Sequence, residues 1–107
     1  MEKRTIISLL HVLLFGPLLI YIGAGMPWFS IPSYIIVGLG AFIILFHAYM
    51  AYGVFTAGRT PWISLIHVLL VGPALLAYGL GGPGYVGELL IMLGFAAVGY
   101  HGYYLLV

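Results

Sequence analysis

The chain has 107 residues, of which 64% are hydrophobic and 5% charged, with a formal net charge of +1 and no cysteine. No water-soluble fold of this size could hide so much apolar surface, so the composition excludes an ordinary soluble domain. It also excludes disulfides, thiolate metal ligands, iron–sulfur clusters and a cysteine nucleophile.

Four apolar runs each come close to the ~20 residues that a helix needs to cross the hydrocarbon of a bilayer. The first predicted helix covers about residues 5–22 and stops at Gly23-Ala24-Gly25. Its opening, MEKRTIISLLHVLLF, resembles a signal peptide, but no small-residue cleavage pattern follows and the same stretch recurs later, so it reads as a retained span. A loop around Trp28 leads to a second helix over about 32–55, with Pro32 at its start, where the missing N–H costs nothing. Thr60 and Pro61 then serve as cap and first residue of a third helix over about 61–80. After the Gly81-Gly82-Pro83-Gly84 turn, a fourth helix covers about 84–107. Short connections make sequence neighbours antiparallel partners. Lys3, Arg4 and Arg59 fall on one side of the membrane, and the opposite loops carry no basic residue, which places both termini in the cytoplasm.

The two halves repeat each other. Residues 7–19 realign on residues 63–75 with ten identities in thirteen positions, including Ser8 on Ser64, His11 on His67, and Gly16-Pro17 on Gly72-Pro73. In the second helices, Gly40 and His47 match Gly94 and His101, with Tyr49 answering Tyr103. The expected fold is therefore an all-α integral membrane protein, a single transmembrane domain over 1–107. It is a four-helix bundle of two tandem two-helix repeats, 5–55 and 61–107, related by a pseudo-twofold axis along the membrane normal.

Gly16-Pro17 and Gly72-Pro73 lie inside helices, where proline removes a backbone hydrogen bond and crowds the carbonyl four residues earlier. Each is expected to kink its helix, as a packing feature in the simpler reading and as a hinge in the other. Gly38, Gly40, Gly53, Gly94, Gly99 and Gly102 are expected to let helix backbones approach closely. Glu88 falls in the first turn of the fourth helix, where the helix dipole favours an anion. Tyr49, Tyr52, Tyr100, Tyr103 and Tyr104 cluster toward the cytoplasmic ends and, with Trp62 there and Trp28 opposite, fit interfacial belts.

Chemistry, if there is any, rests on His11, His47, His67 and His101, one per span. Counting from the turns at ~1.5 Å per residue puts all four at one depth. On a helical wheel each shares its stripe with small or hydroxyl residues: Ser8; Gly40 and Ala51; Ser64 and Ala74; Gly94 and Ala97. A neutral imidazole bonded to a neighbouring helix would be polar glue. Four of them in one layer point to a site, because ionisable groups in hydrocarbon are costly.

Three functions would use such a layer, the leading one first and its two alternatives after it. The first is binding of a b-type haem by two histidines, with His11/His67 and His47/His101 as the symmetric pairs, or of a transition metal by three or four imidazoles, for electron transfer or sensing. The second is an oligomeric proton or small-ion channel gated by histidine protonation, since imidazole titrates near physiological pH. The third is a structural or assembly role. With Lys3 outside the spans there is no retinal Schiff base, and with Glu88 alone there is no carboxylate relay, so no catalytic residue is singled out. The expected partners are the bilayer and further copies of the chain, with no nucleic acid.

The pattern His11-x4-Gly16-Pro17-Leu18-Leu19, then Tyr21-Ile22-Gly23 and His47-x-Tyr49-x2-Tyr52, resembles uncharacterised small membrane proteins of large DNA viruses and aquatic microbes. That resemblance covers nearly the whole chain and implies a viral or microbial membrane component, with no activity and no site residue attached.

Overall fold

The structure, a computed structural model, describes residues 3–25 and 31–106; Trp28 with its loop, and Val107, lie outside the described residues. Among the described residues there are four long helices and no strand. They are α1 (Lys3–Ala24, 22 residues), α2 (Ser33–Thr56, 24), α3 (Trp62–Gly79, 18) and α4 (Tyr85–Leu106, 22). At ~1.5 Å per residue these helices are about 27–36 Å long, enough to cross a bilayer. Their sides carry the same message. Leu13 is 72% exposed, Leu45 72% and Phe95 62%, all in mid-helix, so large apolar side chains stand on the outside of the helices along their length.

The helix ends follow from local chemistry. The first helix runs past Gly23 to Ala24 and ends where Gly25 turns left-handed (φ 64°), its N–H donating to the Ile22 carbonyl. At the third helix the expected cap is displaced by one residue. Pro61 holds the cap position with no side-chain cap bond, and Trp62 opens the helix. Glu88 does lie in the first turn of α4.

The prolines are accommodated by a device that the sequence does not announce. Residues His11–Phe15 of α1 and His67–Val71 of α3 each form one π turn directly before Gly-Pro. In each, the glycine N–H donates five residues back, Gly16 to the His11 carbonyl and Gly72 to the His67 carbonyl. Widening the turn by one residue relieves the crowding between the proline ring and the preceding carbonyls, and the helix continues.

The chain divides into two compact units: Met1–Ser30 with Gly87–Val107, and Ile31–Val86. In the first, α1 packs antiparallel against α4 through glycines. A Cβ on Gly16 would stand 2.5 Å from Val98 Cγ2 and 3.1 Å from the Gly94 carbonyl, one on Gly94 would stand 2.7 Å from the Gly16 carbonyl, and one on Gly23 would strike the Gly87 carbonyl. In the second unit α2 packs antiparallel against α3 by the same scheme. A Cβ on Gly40 would stand 2.9 Å from the Gly72 carbonyl, one on Gly72 would strike Ile44, and one on Gly79 would stand 3.1 Å from the Ser33 carbonyl. Only hydrogen fits at these positions, so the backbones come into direct van der Waals contact.

The glycine expectations are corrected accordingly. Gly40 and Gly94 do carry close approaches. A Cβ on Gly38, Gly53 or Gly99 would meet nothing within 4 Å, and one on Gly102 only Val12 Cγ2 at 3.9 Å. The other close positions are Gly16 and Gly72, read from sequence as parts of a kink, and Gly23 and Gly79.

Candidate histidine-pair site

Each unit brings one histidine of an odd-numbered helix onto one of an even-numbered helix. His11 and His101 stack with ring centroids 4.1 Å apart and planes 28° apart; His47 and His67 stack at 4.0 Å and 21°. All four rings are half-buried. The pairs expected from sequence symmetry, His11 with His67 and His47 with His101, are thus each divided between the two units.

The placement follows from spacing. Along α4 the residues facing α1 are 87, 94 and 101, and along α2 those facing α3 are 33, 40 and 47, steps of seven that return to the same face every two turns. On α1 the matching positions are 11, 16 and 23, and on α3 they are 67, 72 and 79. In a regular α-helix five residues would rotate His11 ~140° away from Gly16. The π turn closes a ring from residue i to i+5, and that extra residue brings histidine and glycine back onto one face. It also corrects the helical wheel of α3: Ala74 is buried, but it follows a π turn, so its stripe is not the one that 3.6-residue counting from His67 gives.

Two of the rings have a defined proton. His11 Nδ1 lies 2.7 Å from the Ile7 carbonyl, and His67 Nδ1 lies 2.7 Å from the Ile63 carbonyl. A carbonyl only accepts, so in each case Nδ1–H donates, and in the neutral ring Nε2 is the nitrogen with the lone pair. Each imidazole is thereby held by its own helix, in the turn before the π segment.

The surroundings are aromatic. Phe15 meets His11 edge-on at 5.3 Å and Phe46 meets His47 at 5.3 Å, while Tyr100 meets His101 at 5.1 Å. Tyr100 in turn lies against Tyr104, and the Arg4 guanidinium sits 4.8 Å above the Tyr104 ring. Of the supporting residues, Ser8 is buried (4% exposed), as are Gly40 and Gly94, and Ser64 is half-buried.

The arrangement constrains its chemistry. The rings of each stack lie 4.0–4.1 Å apart, which leaves no gap for a flat macrocycle within either stack, while the symmetric pairs expected to hold a haem are the ones divided between the units. Among the described residues no three of His, Cys, Asp and Glu gather to hold a metal ion. Two stacked imidazoles can do something else. An imidazole is chemically able to give up a proton at one nitrogen and accept one at the other, and each ring here has a second imidazole at van der Waals distance. The four histidines singled out in the sequence fall in the two stacks, whereas Gly23, read there as part of a helix stop, and Gly79 were not expected at a helix contact; their signal is the seven-residue step from Gly16 and Gly72. No protein family, curated protein or solved structure matches the chain.

Proposed function

We propose that this is a small integral membrane protein that takes up and conducts protons through stacked histidine pairs. In this reading its tandem repeats are related by a pseudo-twofold axis along the membrane normal, both termini are cytoplasmic, and several copies assemble in the bilayer. The observation that carries it is the stacked pair itself, made twice with the same partners: an imidazole anchored through Nδ1 at a π turn, and a second imidazole across a glycine-tight helix contact. A pair that accepts one proton and resists the next alternates between two states, and exchange between those states is what a proton-conducting element needs. Water entering to solvate the charge couples protonation to opening.

The test is reconstitution into liposomes loaded with a pH-sensitive dye. Proton influx rises as the outer pH falls from about 7 toward 5, the range over which imidazole titrates. Replacing His11 and His67 together by Phe, which keeps a ring in each stack, abolishes that pH dependence, and Glu88→Gln leaves its midpoint in place. Absence of flux at every pH, or flux unchanged with all four histidines replaced, leaves the pairs as structural glue. A Soret band in the purified protein would overturn the reading in favour of a haem.

A further inference from the structure

The turn between α2 and α3 opens a groove of about 680 Å³, walled by Ala48, Ala51, Tyr52, Phe55 and Leu65, with Arg59 at its polar end. We infer that this groove is a binding site for one anionic glycerophospholipid, whose phosphate pairs with Arg59 and whose acyl chain lies along the apolar wall.

Charge is the first argument. Arg59 is the only Asp, Glu, Lys or Arg between residues 31 and 86, and among the described residues it has no carboxylate partner. A lone guanidinium at the end of an apolar helix pair is complemented by a phosphate, which it binds with two parallel N–H donors. The second argument is shape. Ala48 and Ala51 lie one turn apart on α2, and their small side chains leave room between the larger Tyr52, Phe55 and Leu65. The groove is open rather than enclosed, a shape that suits a chain lying along the helices. Its walls belong to two apolar helices, so the molecule within reach is a lipid rather than a soluble anion. The third argument is contrast. Arg4 in the other unit has a cover, the Tyr104 ring, while the position on α2 that matches Tyr104 is Met50, so the repeat supplies no corresponding aromatic lid.

The experiment is native mass spectrometry of the full chain released from nanodiscs holding phosphatidylcholine and phosphatidylglycerol in equal amounts. The wild-type chain retains one phosphatidylglycerol about fivefold in preference to phosphatidylcholine, the scale of one interfacial cation acting on an anionic lipid. Arg59→Gln abolishes that preference and Arg4→Gln leaves it in place. Ala48→Phe with Ala51→Phe, which fills the groove, loses the bound lipid while circular dichroism shows the helix content unchanged. Equal retention of the two lipids by the wild-type chain, or a preference that survives Arg59→Gln, overturns the inference. So does a preference that Arg4→Gln reduces as much as Arg59→Gln.

Discussion

The α1–α4 pair and the α2–α3 pair share a centre and differ at their ends. At the centre of each, a glycine on either helix meets the other's backbone, and beyond it two imidazoles stack within 0.1 Å of the same separation. Toward the outer end the pairs diverge. Tyr100 and Tyr104 of α4 correspond to Phe46 and Met50 of α2, and Arg4 rests on an aromatic ring while Arg59 stands at an open groove. What the two pairs share is what two helices need in order to touch and to place a pair of rings. What differs between them lies beyond the contact, where many side chains satisfy the same physics.

The sharpest way to break this equivalence is to place a methyl group in the contact. Gly16→Ala and Gly72→Ala should each destabilise the protein by about 2 kcal/mol in detergent unfolding, the usual cost of overpacking a tight contact. If one is tolerated and the other is not, the two contacts are not equivalent. Next come the stacks. His101→Ala and His47→Ala should each cost about 1 kcal/mol, as loss of an aromatic pair does, and a large difference between them would show that Tyr100 supports its pair in a way Phe46 does not. A smaller effect belongs to the ends: Tyr104→Leu removes the ring beneath Arg4 and should cost about 0.5–1 kcal/mol, with the loss shrinking at high salt. Smallest, and opposite in sign, Gly38→Ala should stabilise α2 by up to about 0.5 kcal/mol, because its Cβ meets nothing within 4 Å and alanine is the better helix former.

The long helices were legible in the sequence because each apolar run is near twenty residues, and among the described residues the helix ends fell within two residues of where the apolar runs and glycines placed them. The histidines were legible as polar residues in apolar surroundings. Their partners were not. Short connections favour chain neighbours, and α2 with α3 follows that rule, but α1 pairs with α4, at the far end of the chain, through glycines that look alike in sequence whether they touch a backbone or face outward. Gly38 and Gly40 are two residues apart and only Gly40 is at the contact. Periodicity could not separate the useful glycines on α1 and α3 either, since a wheel drawn at 3.6 residues per turn loses its phase at a π turn.

That lost phase has a mechanical side. A π turn is a helix carrying one residue too many, and the surplus is a unit of rotation stored along the axis. Deleting Leu13 would let α1 close as a plain α-helix with four steps instead of five from His11 to Gly16, a rotation of ~400°, so that the histidine would stay on the face that meets α4. Passing the same surplus one turn toward the N-terminus would instead leave five α-helical steps between His11 and Gly16 and turn the histidine ~140° away from that glycine, without moving Gly16 from its contact with Gly94. The chain thus holds two screw threads, one in α1 and one in α3, each of which could release its histidine from the stack by turning rather than by swinging.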